Sequence, residues 1–181
     1  MALKDDYLFL CYDAGGIRVI DISDITMPKE VHTYINESLL NVTQQAYNNI
    51  VIHDNLAYVA TDFCGMEVLD ISDPLNIERL SWWNPWQCES PDNFWVNSPG
   101  HTNEIDFISN WVPYSLILLN GNDAELLALN VRDPSNPKLI GEFGETGDNI
   151  RTWGFGIRDR KVMVAYYFTL LPWVSAQAKL K

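Results

Sequence analysis

Hydrophobic and polar residues follow one another along this chain in short runs of four to seven residues. Clear examples are "IVIHD", "LAYVATD", "MEVLDIS" and "ERLSWW", which are rich in β-branched and aromatic residues. Turn-forming pairs separate these runs, among them Asp54-Asn55, Cys64-Gly65 and Asp73-Pro74. No stretch keeps a 3.6-residue period over three turns. The pattern therefore predicts an all-β chain.

One of these runs is repeated. "VIDISD" at Val19–Asp24 returns as "VLDISD" at Val68–Asp73 and, less exactly, as "ALNVRD" at Ala128–Asp133. Asp70 follows Asp21 by 49 residues, and Asn130 follows Asp70 by 60 residues. The chain thus repeats a unit of about fifty residues, with an insertion in the second interval.

Each unit contains four short strands, and its third strand is apolar on both faces. In "VLDIS", Leu69 and Ile71 point to one face, and Val68 and Asp70 point to the other. A strand of this kind lies between two packed layers. Four-stranded units at this period are typical of a β-propeller. We therefore predict β-propeller-like blades of four-stranded antiparallel sheets.

A polar residue recurs at two positions of every unit, and both are interpreted as structural. A residue that appears once per blade most often fastens a turn or a neighbouring blade, whereas a catalytic residue typically appears once. The second position opens a turn, where an Asp or Asn side chain can cap backbone amides. The positions are Asp21, Asp70 and Asn130, followed by Asp24, Asp73 and Asp133.

The first two units resemble the LVIVD repeat. The resemblance lies in "LFLCYDAGGIRVIDISDITMPKEV" and "YVATDFCGMEVLDISDPLNIERL". It covers about residues 7–167, clearly in the first two units and weakly in the third. The third unit departs from it, because Asn130 and Arg132 replace the Asp and Ser, and Glu125 replaces the turn glycine. The resemblance implies a propeller that is often exported or on the cell surface. It implies no common activity.

The units are expected at about 7–35, 48–83, 104–143 and 150–168, followed by a tail at 169–181 without repeat pattern. The first unit is predicted to have three strands and the last two, about thirteen in all. About three blades plus a partial one make an incomplete ring. The chain is then a fragment of a longer propeller, a homo-oligomer that completes the ring, or a non-propeller packing.

Composition narrows the classes of partner. The formal net charge is −12, from 24 acidic and 12 basic residues, which argues against nucleic acid and anionic membranes. No run approaches the roughly 20 apolar residues of a membrane span. The first residues lack a signal-peptide core, so the chain is cytoplasmic or its leader lies elsewhere.

The three cysteines are an odd number, which excludes a complete disulfide framework. A single bridge between Cys64 and Cys88 is one alternative. Free buried thiols are the interpretation that we expect.

Candidate binding residues collect at one end of the blades. The turns between strands two and three and the connections between units share this end, which we call the loop-bearing end. A long insertion at 84–102 lies there and is rich in tryptophan. Exposed tryptophans beside polar groups suit a sugar ring or a peptide, and the alternative is that they plug the centre or cover a blade. The candidate residues are Trp83, Trp86, Trp95, His101, Asp62 and Asn122.

Other chemistry has weaker signals. His32, His53 and His101 lie in separate units without ligand spacing, so no histidine metal site is expected. Calcium is an alternative in the acidic loops, with Asp92, Glu89 or Asp62 as oxygen ligands, and no other cofactor is predicted. No nucleophile or phosphate-loop motif occurs. Candidate carboxylates for glycoside chemistry are Glu89, Asp92, Glu104 and Asp106.

The function that these observations favour is a non-enzymatic binding or scaffold module, which engages a protein, peptide or glycan through the loop-bearing end. One alternative is a carbohydrate-active hydrolase or lyase with carboxylates near the central channel. Another is a truncated fragment of a longer propeller that has no activity of its own.

Overall fold

A computed structural model shows an all-β chain. It describes residues 1–42, 45–95, 98–121, 125–144, 150–159, 161–168 and 179–180. Among these described residues, strands that are consecutive in the chain pair in antiparallel fashion and form three four-stranded sheets and one three-stranded sheet. One 3₁₀ turn at Glu37–Leu39 lies between the first two sheets.

The strands of each sheet follow one another in sequence order. Sheet 1 contains β1 (Ala2–Lys4), β2 (Tyr7–Cys11), β3 (Ile17–Asp21) and β4 (Lys29–Tyr34). Sheet 2 contains β5 (Asn49–His53), β6 (Leu56–Ala60), β7 (Met66–Asp70) and β8 (Glu78–Trp83). Sheet 3 contains β9 (Ile105–Trp111), β10 (Tyr114–Asn120), β11 (Leu126–Asn130) and β12 (Lys138–Phe143). Sheet 4 contains β13 (Ile150–Arg158), β14 (Lys161–Phe168) and β15 (Lys179–Leu180).

The predicted strand count is wrong at both ends of the chain. Sheet 1 has four strands, because Ala2–Lys4 pairs with β2 and places Ala2 opposite Phe9. A three-residue strand is too short to show an alternating pattern, which is why the sequence did not reveal it. Sheet 4 has a third strand at Lys179–Leu180, within the segment predicted to lack a repeat pattern. The rest of that segment, 169–178, and Lys181 lie outside the described residues.

Sheet 2 lies between two apolar layers, as the sequence pattern predicted. Leu69 and Ile71 belong to the buried cluster shared with sheet 1, where they join Phe9. Val68 belongs to the cluster shared with sheet 3, where it joins Ile117. Burying side chains of this size contributes about 1.5–3 kcal/mol each, so the two clusters hold the stack together.

The first strands of sheets 1, 2 and 3 lie side by side, because β5 contacts both β1 and β9. Sheet 4 contacts sheet 3 through β13, which lies against β10. The four sheets therefore follow one another around an axis in a β-propeller-like arrangement, and the described part of the stack does not close into a ring.

The recurring polar residues form capped turns at the end of each third strand. In each of the first three units the side-chain oxygen accepts a hydrogen bond from the backbone N–H two residues later, at 2.8–3.1 Å. Hydrogen bonds from the side chains and then the backbone N–H groups of Ser23 and Thr26 hold the pKa values of Asp21 and Asp24 below their usual range. The backbone N–H and side chain of Ser72 lower the pKa of Asp70 in the same way. The acceptor and donor pairs are Asp21–Ser23, Asp24–Thr26, Asp70–Ser72, Asp73–Leu75, Asn130–Arg132 and Asp133–Ser135.

The turn between the second and third strands requires a left-handed backbone. Gly16 has φ 82° and Gly65 has φ 77°, and a Cβ on Gly65 would lie 2.1 Å from the carbonyl oxygen of Trp83. Glu125 occupies the same position in sheet 3 with φ 22°. The departure of the third unit from the repeat therefore places a non-glycine residue at positive φ.

A buried carboxylate lies between sheets 1 and 2. Glu67 has no exposed surface and accepts hydrogen bonds from the Tyr34 hydroxyl and from Nδ2 of Asn36, both at 2.7 Å. The hydroxyl of Tyr47 in turn accepts from the backbone N–H of Asn36 at 2.9 Å. Burial raises the pKa of Glu67 despite these donors. These hydrogen bonds fix the position of sheet 2 relative to sheet 1.

Candidate binding site at the loop-bearing end

The end of the long insertion is attached to the turn that follows β6. Asp62 has φ 48°, and its carbonyl oxygen accepts hydrogen bonds from the backbone N–H of Thr102 at 3.0 Å and from its hydroxyl at 2.9 Å. The same hydroxyl lies 2.8 Å from the carbonyl oxygen of Gly65. Asp62 and His101 are brought together by this attachment.

Three of the predicted binding residues form one cluster. Oδ1 of Asp62 lies 2.5 Å from Nδ1 of His101, and Oδ2 accepts a hydrogen bond from Nε1 of Trp95 at 3.0 Å. The side chains of Asp62 and His101 are each 10% exposed. The Trp95 and His101 rings meet edge to face with their centroids 5.2 Å apart. The centroid of the Phe63 ring lies 6.1 Å from that of the His101 ring.

Both oxygens of the Asp62 carboxylate are engaged by protein donors. Because a carboxylate oxygen accepts, Nδ1 of His101 carries the hydrogen of this contact. Asp62 thereby fixes the orientation of two rings at once. Because both of its oxygens are bonded to ring nitrogens, the Asp62 carboxylate is suited to positioning the aromatic rings rather than to transferring a proton to a ligand.

Cys64 and Cys88 form a disulfide, so the expectation of free thiols at these positions is wrong. The bridge joins the turn after β6 to the insertion, and both residues are buried. Nε1 of Trp82 donates to the carbonyl oxygen of Cys64 at 2.8 Å, which ties the same turn to β8. The sequence left the bridge open because three cysteines contain no spacing that identifies a pair. Cys11 is the remaining thiol, and burial raises its pKa to about 11.

Trp83 and Trp86 lie apart from this cluster. Both pack against the buried cluster between sheets 2 and 3, and their rings meet edge to face at 5.9 Å. A Cβ on Gly100 would lie 1.9 Å from the Trp86 ring, so glycine allows the indole to lie directly on the backbone. These two tryptophans cover the core. Asn122 lies outside the described residues.

The insertion exposes two neighbouring aromatic side chains. Trp95 is 40% exposed and its neighbour Phe94 is 57% exposed. We call Phe94 and Trp95 the aromatic surface. The sequence placed Trp95 among the candidates but did not show its contact with Asp62, because the two residues are 33 positions apart and joined only by the fold.

The carboxylates considered for glycoside chemistry have different surroundings. Burial raises the pKa of Glu104, and the nearby charge of Asp106 raises it further. Oε2 of Glu89 accepts a hydrogen bond from Nδ2 of Asn84 at 2.5 Å. Glu104 therefore lies in a less hydrated environment than an ordinary surface glutamate.

No group of three His, Cys, Asp or Glu residues that could hold a metal ion occurs among the residues that the structure describes. His53 stacks on Phe107 at a centroid distance of 4.0 Å, at the end of β5 and away from His101. His32 lies in β4. Calcium binding stays an untested prediction.

Comparison with known proteins finds one repeat family in the chain. The LVIVD repeat matches residues 1–36, which contain sheet 1, and residues 46–78, which contain β5, β6 and β7 of sheet 2. The first two units are therefore LVIVD repeats. No curated protein matches the chain.

Two solved structures share the fold at low sequence identity. The computationally designed Ika8 protein matches with a TM-score of 0.57 and 12% identity, over 92% of this chain and 41% of its own. A chain in a Saccharomyces cerevisiae structure of Dbp5 bound to Nup159, Gle1, IP6 and ADP matches with a TM-score of 0.55 and 10% identity, over 98% of this chain and 42% of its own. This chain thus spans about two fifths of the length of these structures. Their likeness concerns the fold alone.

In the part of the chain that the structure describes, no helix is long and apolar enough to cross a membrane.

Proposed function

We propose that this protein is a non-enzymatic binding and scaffold module that engages a protein, peptide or glycan through the aromatic surface of Phe94 and Trp95. The observation that carries this proposal is the double hydrogen bonding of Asp62, whose two oxygens bind His101 and Trp95. A buried carboxylate used in this way holds an exposed indole in one orientation.

A rigid aromatic surface is an effective binding element. Aromatic side chains offer a large contact area and have few rotatable bonds, so little conformational entropy is lost when a ligand binds. Here the disulfide and the Thr102 hydrogen bonds hold the insertion before a ligand arrives. Such preorganisation lowers the free-energy cost of association.

Parallel selections test this proposal and separate its ligand classes. The purified chain is panned against a phage-displayed random peptide library and applied to a glycan array, with the Trp95→Ala variant alongside. We expect ligands that bind the wild type and lose at least about tenfold in affinity with Trp95→Ala, as for an aromatic anchor. The Trp95→Phe variant keeps the ring and separates stacking from the lost N–H group.

Trp111→Ala is the matched control, because Trp111 is 37% exposed and ends β9 at the opposite end of the sheet. Enriched ligands that bind Trp95→Ala as tightly as the wild type would contradict the proposal. The absence of enrichment in both selections would contradict it as well.

A carbohydrate-active enzyme is the second candidate, and the raised pKa of Glu104 beside Asp106 is the observation that favours it. Such an enzyme shortens an oligosaccharide during incubation, whereas a binding module leaves its length unchanged. Chromatography of the incubated sugar distinguishes the two.

A further inference from the structure

We propose that a neutral saccharide binds at the inner edge of the junction between sheets 3 and 4, with its ring on Trp153 and its hydroxyl groups on Glu104 and Asn103. This site is separate from the aromatic surface of Phe94 and Trp95, and it does not depend on the function proposed for that surface.

A β-bulge orients Trp153 away from the sheet. β13 pairs regularly with β14 except between Thr152 and Gly154, where the register shifts. Thr152 is buried and its hydroxyl bonds the carbonyl oxygen of Glu125, whereas Trp153 is 67% exposed. Bulges commonly re-aim a side chain beside a functional site. Trp153 is the most exposed aromatic side chain among the described residues.

The repeat shows which residues share this place in neighbouring units. The hydroxyl of Thr102 bonds the carbonyl oxygen of Gly65 in the same way that Thr152 bonds Glu125. Asn103 in sheet 3 therefore corresponds to Trp153 in sheet 4, and Glu104 corresponds to Gly154. Gly154, which takes the place of Glu104 in sheet 4, has no side chain and so leaves space beside Glu104.

The space beside Glu104 is accessible to a ligand hydroxyl. Oε2 of Glu104 lies beside Gly154, where an added Cβ would approach it to 3.6 Å, and Glu104 is only partly buried. Oε1 accepts a hydrogen bond from Nδ2 of Asn49 at 2.5 Å, which fixes the carboxylate. Burial raises the pKa of Glu104, as expected for an acceptor that water hydrates incompletely.

Asn103 supplies a donor at the same edge. Its Oδ1 accepts from Nδ2 of Asn48 at 2.8 Å, so its own Nδ2 has no hydrogen-bond partner among the described residues. The backbone here is fixed by Asn120, whose Oδ1 accepts from the N–H groups of Asn103 at 2.7 Å and Glu104 at 2.6 Å. The donor and the acceptor are therefore held in place before binding.

These groups identify the chemical class of the ligand. An exposed indole offers a flat apolar face to a pyranose ring, and a carboxylate and an amide bind its hydroxyl groups in directional bonds. The net charge of −12 and the Glu104 carboxylate disfavour acidic sugars. A neutral hexose oligomer is the ligand that fits best.

The experiment is an NMR titration of the full chain that follows the tryptophan indole N–H signals. Cellohexaose, maltohexaose and chitohexaose are the probes, each added up to its solubility limit. We expect saturable shifts with at least one of them. Trp153→Ala weakens that binding by about tenfold or more, and Glu104→Gln weakens it severalfold. Trp153 is exposed, so its removal leaves the core intact.

Trp111→Ala is the control for this site, because Trp111 ends β9 at the opposite end of the sheet, and we expect it to bind the sugar as the wild type does. The surface of Phe94 and Trp95 is tested separately, by ligands whose binding depends on Trp95, so either proposal can fail without the other. The inference is overturned if none of the three sugars shifts a wild-type indole signal. It is also overturned if Trp153→Ala binds with wild-type affinity, or if Trp95→Ala abolishes the binding.

Discussion

Oδ1 of Asp62 lies 2.5 Å from Nδ1 of His101, a residue 39 positions further along the chain. Asp62 belongs to a turn that the repeat dictates, and His101 ends an insertion that interrupts the repeat. The contact shows how the site is made: a conventional blade turn receives an added loop, and a carboxylate of the turn orients the rings of the loop.

The disulfide between Cys64 and Cys88 is expected to stabilise the fold. It closes a loop over a separation of 24 residues, which corresponds to roughly 3 kcal/mol in the chain-entropy description. Urea unfolding should show this loss when a dithiol reduces the bridge. The Cys64→Ser/Cys88→Ser double variant serves as the control, since dithiol should not change its stability. An unchanged wild-type midpoint after verified reduction would be inconsistent with this role.

Glu67 should make stability fall as the pH rises. Burial raises the pKa of Glu67 above the ordinary value of 4.5. The stability that the protonated carboxyl contributes is therefore complete below pH 4.5 and is lost as the pH rises through the folded-state pKa. Glu67→Gln removes this ionisation. The unfolding free energy of the variant should therefore increase relative to the wild type between pH 4 and pH 8.

Glu30→Gln is the matched control for Glu67, because the hydrogen bond from Arg18 lowers the pKa of Glu30. The stability that the ionised Glu30 carboxylate contributes is present above its unfolded-state pKa and is lost as the pH falls. The unfolding free energy of Glu30→Gln relative to the wild type should therefore change with pH in the opposite direction. Parallel trends for the two variants would show that burial of Glu67 does not govern the pH dependence.

Gly65→Ala should destabilise the protein by roughly 1–3 kcal/mol, because the residue has φ 77° and the new Cβ would meet the Trp83 carbonyl oxygen at 2.1 Å. Gly141→Ala provides the comparison, since its Cβ would lie 3.7 Å from Ala128 at ordinary contact distance. Thermal unfolding should show a lower midpoint for the first variant and little change for the second. Equal shifts would refute the argument from positive φ.

The Asx turn at Asp70 requires an acceptor oxygen, which an asparagine side chain also provides. Asn130 forms the same turn in sheet 3, with its Oδ1 accepting from Arg132 at 3.1 Å. Asp70→Asn should therefore leave the unfolding free energy nearly unchanged, and Asp70→Ala should lower it by about 0.5–1 kcal/mol. If chemical denaturation gives the same value for both variants, the hydrogen bond from Ser72 contributes nothing measurable.

Local chemistry made the repeated part of the fold predictable. Alternating hydrophobic residues located the strands, and the two-faced apolar pattern of Val68, Leu69 and Ile71 correctly predicted a sheet between two layers. Strand β1 was missed because three residues carry no pattern, and the pairing of β15 with β14 depends on tertiary contact.

The candidate site was predictable in its position but not in its contacts. Strand direction placed Asp62, Trp95 and His101 at one end of the blades, and the structure brings these three together. Trp83 and Trp86 had the same sequence signal but pack on the core, because composition does not distinguish an exposed indole from a covered one. The disulfide and the bulge at Trp153 likewise arise from the tertiary arrangement.

The most direct test of the central claim is the affinity of the strongest selected ligand for the Asp62→Asn variant, measured by calorimetry. The asparagine side chain places an NH₂ group where one of the two carboxylate oxygens accepts a hydrogen bond, so His101 and Trp95 are no longer both held by an acceptor at these positions and the aromatic surface loses its fixed orientation. We predict a loss of about tenfold in affinity, with Trp111→Ala unchanged. Wild-type affinity in a folded Asp62→Asn variant would contradict the account.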